Sequence, residues 1–397
     1  MHERWEFGFQ PRYTAYLNQI EPLKMLSSLA LLCQRFRTWD EVRQVIRDAT
    51  NCRNSHWHPF VWGHQRRQVA STRRMNHLGG LRYMTNHTYK IIVNPIAGHG
   101  AASSKQPVIK EFFRNAGLSF ELEETREPLH AVELARQAVQ DGFTVVVAVG
   151  GDGTVNEVIT GMVAANPSGH GKASGTLGVI PVGTGNDFAA GLKMPLHDVE
   201  AACQVLLRGD SNEIDLGRVA DEQDHTWLFQ NHLGAGLVAA AAIESARFVH
   251  LSGMWKYLAG LVRTIPRYST GIRVTSSCDS IVRDQRVLLI GVSNGPRTAG
   301  AFLIAPQASM NDGSFDVVIA STPNMLITFW LIPHFLRGSH VKQEKYVSCF
   351  RTASLLLESP EGIPIHLDGQ VVRTDARRLE IKVLPSALMV LQPPQSP

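Results

Sequence analysis

From residue 88 onward the apolar and polar positions switch between two periods. Residues 89–93, 145–149 and 176–182 are short, nearly continuous apolar runs, and Leu118, Phe120 and Leu122 alternate with polar neighbours; both patterns predict strands. Between them apolar residues recur every three or four positions. Val108, Ile109, Phe112, Phe113 and Ala116 form one such set, stopped by Gly117. Ala131, Leu134, Ala135, Ala138 and Val139 form a second. A third, Val155, Val158, Ile159, Met162 and Val163, predicts a helix starting near Thr154, and Val199, Ala202, Cys203, Leu206 and Leu207 make a fourth. Strands alternating with helices at this interval imply right-handed crossovers and a parallel sheet. After about residue 211 the texture becomes mainly extended, at 214–219, 227–231, 271–276, 287–292, 315–320, 354–357, 379–383 and 388–391. Two helical insertions, over about 238–265 and 324–337, interrupt it. The expectation is an α/β unit followed by an all-β unit carrying helices.

The most informative stretch is 145–158. Five apolar residues lead into Gly150, Gly151 and Gly153, and then into a helix. A buried strand that runs through glycines into a helix N-terminus offers free N–H groups, the positive end of a dipole and close backbone approach, which suits phosphate. Asp152 lies inside this cradle. A carboxylate beside polyphosphate calls for a cation or for a proton to accept. Glycine-bearing turns also follow Val93, over 94–100, and Val182, over 183–188. Ligands of parallel sheets collect at the carboxyl ends of strands, so the three turns are expected to converge on one crevice.

Charge divides the chain. The net +4 conceals a front segment, 1–83, with 13 Lys/Arg against 6 Asp/Glu and four of the seven tryptophans; the remainder holds 26 against 29. A basic, aromatic tail could touch nucleic acid or an anionic membrane surface, but we read residues 1–86 as a poorly ordered basic extension, of which translation from Met84 would omit 1–83, and expect no nucleic-acid partner. The five cysteines are scattered without Cys/His ligand spacing, consistent with reduced thiols and no structural zinc. Apolar runs are too short to span a bilayer.

These residues resemble the diacylglycerol kinase catalytic domain, in the bacterial lipid kinase branch related to sphingosine and ceramide kinases. The likeness covers about 88–395 and rests on Asn94-Pro95 to Gly98, Gly150 to Glu157, Pro181 to Phe188, Asn294-Gly295, Asn311-Asp312-Gly313 and Asp368-Gly369. It implies a three-layer parallel-sheet nucleotide domain, similar to phosphofructokinase and NAD kinase, over 87–210, joined by about 387–397, and a C-terminal lipid-binding β-sandwich over 211–386. It implies ATP contacts at Asn94, Pro95, Ile96, Ala97, Gly98, Thr125, Gly150, Gly151, Asp152, Gly153, Thr154, Val155, Asn156, Thr184 and Asp187. It also implies Mg2+ near Asp152 and Asp187, and a structural Mg2+ at Asp312 with the carbonyls of Ser309 and Ser314. Catalytic roles fall to Asp152, Asp368 and Gln370. The implied reaction is ATP-dependent phosphorylation of a hydroxyl on a lipid such as diacylglycerol, by a cytoplasmic protein peripheral to the membrane. Acyl chains would lie along 239–243 and 255–265 unless these stretches are ordinary core, and residues 325–332 would either pack in the core or touch the membrane interface. A homodimer is left open.

Three positions depart from that pattern. Gln370 stands where the family has a glutamate proposed as base, and an amide cannot accept the proton usefully. His130 replaces a common acidic residue, and Ala190 a common arginine. Two alternatives therefore stand beside the lipid kinase: a soluble-substrate kinase like NAD kinase, and a catalytically weakened lipid- or nucleotide-binding homologue.

Overall fold

The structure is a computed structural model that describes residues 87–394, apart from 167–170, 252, 269–271, 279–280 and 322–323. The expectation of a basic extension over 1–86 lies outside the described residues.

The alternating half of the pattern builds β1 (Thr88–Val93), α1 (Ala101–Asn115), β2 (Ser119–Glu124), α2 (His130–Gln140), β3 (Val145–Gly150), α3 (Asp152–Ala164), β4 (Thr176–Pro181), α4 (Asp187–Gly191) and α5 (Val199–Arg208). The four strands pair in parallel in the order β2-β1-β3-β4. Every residue of β3 is buried, and each of its four valines contributes about 1.5–3 kcal/mol by leaving water. Helix ends follow local chemistry. Gly117, at φ 69°, follows the end of α1. Asp198 Oδ1 accepts from the N–H of Ala201 at 2.9 Å to start α5, and Gly209, at φ 73°, stops it. Helix α3 begins at Asp152, two residues before the position read from its apolar face, because Asp152 and Gly153 are already helical after an extended Gly151.

The second half contains β5 (Ser211–Asp221), β6 (Thr226–Phe229), β7 (His232–Gly236), α6 (Leu237–Ser245), α7 (Gly253–Thr264), β8 (Ile272–Cys278), β9 (Ile281–Ser293), β10 (Phe315–Ser321), α8 (Met325–Arg337), β11 (Val347–Thr352), β12 (Ser354–Leu367) and β13 (Gln370–Leu391). The pairing here is antiparallel. Strand β9 pairs with β8 along its first part and with β7 along its last, and β12 changes partner in the same way. The exchange bends both strands around one apolar cluster that includes Phe229, Ile290, Phe315, Leu357 and Ile381. The stretches 379–383 and 388–391 are parts of one strand, β13, with a register shift between Leu384 and Leu388. Past that shift β13 leaves the second cluster and joins β4 in parallel, Met389 opposite Thr176, so that Leu388, Val390 and Leu391 complete the first core.

The insertion expected over 238–265 is two helices, α6 and α7, separated at 246–252. The second insertion is α8, capped by Asn324 Oδ1 on the N–H of Ile327 at 3.0 Å and closed by Gly338 at φ 69°. Helices α6, α7 and α8 share a third apolar cluster with β9 and β10. No helix among the described residues is long and apolar enough to cross a membrane.

Candidate functional site

The turns after β1, β3 and β4 meet. The N–H of Asn94 donates to Val149 O at 3.0 Å, and those of Val182 and Gly183 donate to Gly150 O at 2.9 and 3.1 Å. Asn94 Nδ2 donates to Thr154 Oγ1 at 3.0 Å, tying the first turn to the first turn of α3. Two glycines make the approach sterically possible. Gly98 has φ +60°, and a Cβ there would stand 2.1 Å from Val182 O; a Cβ on Gly183 would stand 2.3 Å from Gly151 Cα. Around this junction Pro95 and Ala97 are half-buried, Thr184 is exposed, and Ile96 is 79% exposed. Thr125, which only the resemblance singled out, continues the β2–β1 ladder through its N–H to Val93 O at 2.8 Å, and so lies beside Asn94.

Two carboxylates converge at the junction. Asp152 Oδ2 accepts from the N–H of Asp187 at 3.1 Å and Oδ1 from that of Phe188 at 3.0 Å. Asp187 accepts from the N–H of Gly300 at 3.0 Å and from Arg297 Nε at 3.2 Å. A Cβ on Gly185 would lie 3.0 Å from Asp152 Oδ2 and 3.6 Å from Asp187 Oδ2, which puts both acids on the same small space. Burial raises the Asp152 carboxyl against the pull of its backbone donors. Burial, and then the charge of Asp152, push Asp187 up to about 6. Asn186, at φ 53°, turns its amide N–H to Gly183 O at 2.7 Å, while its buried Oδ1 has no partner.

Asp368 lies at the tip of the β12–β13 hairpin with φ 47°. Its carboxylate accepts the N–H groups of Gln230, Asn231 and His232 at 3.0, 3.1 and 2.8 Å. Burial pushes it up to about 7, and the charge of Asp152 adds to the rise. Asn156 turns its amide toward the same joint, to Gln230 Oε1 at 2.8 Å and Leu228 O at 3.1 Å, and Val155 beside it is buried in the core. Gln230 Nε2 reaches Asp152 O at 3.2 Å. Gln370 leans over the start of α3, where a Cβ on Gly153 would be 2.7 Å from its Nε2. The turn of α2 has no acid of its own at His130. Glu157 of α3 instead lies against the N–H groups of Leu129 and Ala131, with its carboxyl raised by burial.

The two cation sites implied by the resemblance differ. Between Asp152 and Asp187, two buried acids share one small space; Arg297 pairs with Asp187, yet two carboxylates against one guanidinium leave negative charge that suits a hard divalent cation taking its other ligands from water and phosphate. At Asp312, Arg351 pairs with Oδ2, the N–H of Ser314 donates to Oδ1 at 3.1 Å, and Ser309 Oγ is bonded to Asn311 Oδ1 at 2.8 Å. Arg351 thus occupies the Asp312 carboxylate, with Asp316 also 3.9 Å from its Nε, and a cation held there with the Ser309 and Ser314 carbonyls would have to displace the guanidinium. No group of three or more His, Cys, Asp or Glu suited to a metal occurs among the described residues.

A relative from Pseudomonas aeruginosa (strain UCBPP-PA14), named a probable lipid kinase YegS-like, is 32% identical over 287 residues, 72% of this chain and 88% of that protein. The chain belongs to the YegS-like and diacylglycerol kinase family. The model of the diacylglycerol kinase catalytic domain matches residues 88–219, and that of the YegS C-terminal NAD kinase beta sandwich-like domain matches 231–392. A protein from Bacillus subtilis (strain 168) named diacylglycerol kinase is 27% identical over 283 residues, 71% of this chain and 89% of its own. The crystal structure of a putative diacylglycerol kinase from Bacillus anthracis str. Sterne has the same fold, with TM-score 0.63 and 20% identity over 79% of this chain and 99% of that one.

Within this family frame, sequence reasoning missed Arg297 and Asp215, and gave Asn294 only as part of a motif without a role. Arg297 grips Asp187 across 110 positions. Asn294 ties Asp215 O to Gln230 O, both at 2.8 Å. Buried Asp215 holds the N–H groups of Gly313 and Ser386 at 2.7 and 2.8 Å. The only signal for Arg297 was a cation just past the Asn294-Gly295-Pro296 turn. Next to it, Thr298 lines an apolar cavity of about 30 Å³ between α6, α7, α8 and β9, together with Val238, Tyr257, Leu261, Leu289 and Leu331.

Proposed function

We propose that this protein transfers the γ-phosphoryl group of ATP to a hydroxyl of a lipid of the diacylglycerol type. One observation carries the lipid reading. A single short loop touches both chemistries, with Arg297 on the Asp187–Asp152 pair and Thr298 on the apolar cavity. An acceptor whose tail lay in that cavity would bring its polar end to the two aspartates. A soluble dinucleotide has no use for such a lining.

In this reading residues 87–210, with the end of β13, form a three-layer nucleotide domain of the kind found in phosphofructokinase, and 211–386 receive the lipid. The start of α3, Gly151–Thr154, would hold the triphosphate by backbone N–H groups, with Asn94–Gly98, Thr125 and Thr184 lining the same crevice. Asp152 would take the proton from the attacking hydroxyl; its raised pKa makes it a better base at neutral pH than an exposed aspartate. As the acceptor oxygen bonds to the γ-phosphorus, the bond to the β-phosphate oxygen breaks and ADP leaves. Mg2+ near the pair, with Asp187 as its carboxylate so that Asp152 stays free to take the proton, would supply charge neutralisation to the phosphates. Asp368, already holding three backbone N–H groups, is better suited to fixing the joint than to exchanging protons. Gln370 would donate toward the phosphate side of Gly153 and not act as base. The cavity has room for little more than a water or two, so a lipid tail enters only if α6, α7 and α8 part.

The test is radiolabelled ATP with Mg2+ and purified protein, offered a total lipid extract or NAD, with Asp152→Asn as control. A labelled lipid that disappears in the variant supports the proposal. Labelled NAD, or no labelled product, overturns it.

A further inference from the structure

We infer that the outer side of the helical layer α6–α7–α8 is the surface by which this protein lies on an anionic lipid bilayer. The inference takes its purpose from the lipid-kinase reading, but its evidence is independent of that reading.

The first observation is where exposed apolar side chains lie. Eight of the twelve large hydrophobic side chains exposed among the described residues fall within residues 237–268 and 325–342. They include Val249 at 74%, Leu326 at 52%, Trp255 at 47% and Trp330 at 46%. Single exposed hydrophobics are ordinary; their concentration on two segments that pack into one layer is not. The inner side of that layer is already closed by Leu261, Ile265, Leu331 and Phe335, so the outer groups are not unfinished core.

The second observation is charge. These two segments carry six Lys/Arg and one acid, Glu244, whereas the rest of 84–397 carries 20 Lys/Arg against 28 Asp/Glu. Glu244 is buried and already paired with Arg263 at 2.9 Å and Arg267 at 2.8 Å. With Glu244 so neutralised the two segments are left cationic, whereas the rest of 84–397 is acidic. An anionic plane would attract this side and repel the others, which sets orientation as well as affinity. Tryptophans on both segments, with Lys256 next in sequence to one and Arg337 exposed two helical turns from the other, are the side chains that settle at the boundary between headgroups and acyl chains. A protein partner would call for a bounded, complementary pocket; a bilayer calls only for apolar side chains set among cations.

The experiment is flotation of the full-length protein with vesicles of phosphatidylcholine alone, or with about a third phosphatidylglycerol, at low and high salt. Wild type is expected to float with anionic vesicles, less so at high salt. The pairs Trp255→Ala with Trp330→Ala, and Lys256→Glu with Arg337→Glu, are each expected to lose about tenfold or more in partitioning while keeping the wild-type melting temperature. Wild type that ignores anionic vesicles, or binds neutral ones equally well, overturns the inference. So does either folded pair that binds as wild type, since another surface, such as residues 1–83, would then be responsible. A short-chain, dispersed diacylglycerol separates the two proposals. Wild type that phosphorylates it yet does not float keeps the kinase reading and sinks the docking face; wild type that floats but phosphorylates nothing does the reverse.

Discussion

Arg297 Nε lies 3.2 Å from Asp187 Oδ1, and this pair joins the loop after β9 to the first residue of α4 at the point where Asp187 faces Asp152. Asp187 is buried and Arg297 is 28% exposed, so the charge-assisted bond is worth more than a surface ion pair.

Removing the guanidinium should therefore be costly. Arg297→Ala is expected to lower kcat/KM for ATP by roughly ten- to a hundredfold. Arg297→Lys should recover only part, because an ammonium lacks the planar fork. Steady-state kinetics with a folded variant checks this.

The pH profile of kcat/KM reports groups of the free enzyme. With Asp187 raised to about 6 and Asp368 to about 7, activity should climb between pH 6 and 7 as these acids ionise, and level off above. Arg297 favours the ionised form of Asp187. In Arg297→Ala the rise should therefore move to higher pH; a shift to lower pH would contradict the assignment.

Gly183→Ala tests the meeting of the turns. Its Cβ has no room beside Gly151 Cα. The variant should lose about 1–3 kcal/mol of stability from overpacking and most of its ATP affinity. Denaturant unfolding and calorimetry read the two effects separately.

Gln370→Glu tests which group is the base. Asp152 and Asp368, both raised, already crowd that corner. If Asp152 takes the proton, turnover of the variant should stay within a few-fold of wild type. A large gain would assign the role to position 370.

At Asp312, Arg351 stands where the family resemblance implies a cation. Chelation should leave the melting temperature of wild type unchanged. Arg351→Ala should cost below about 1 kcal/mol, because the guanidinium is half exposed, and should make the melting temperature respond to Mg2+. Thermal scans with and without chelator decide it.

The local grammar of this chain was legible in its residues. The continuous apolar runs of β1, β3 and β4, the glycines after them and the 3.6-residue stripes of α1, α2 and α3 each report on neighbours a few positions away, and the crevice at Gly150–Thr154 follows from them. Other features were written in no local pattern. The stretches 354–357 and 379–383 belong to strands that continue through polar and bulged segments, because their inward faces change partner along the length. Asp368 looked like a reactive acid in sequence, and only the fold brings three N–H groups onto it from 230–232. Arg297 finds Asp187 across 110 positions. The chain by itself determined which elements form and where the glycine turns between them fall. Which charges end up paired, buried or facing out was decided by tertiary packing, because Coulomb and desolvation energies depend on distances in space that a sequence does not record.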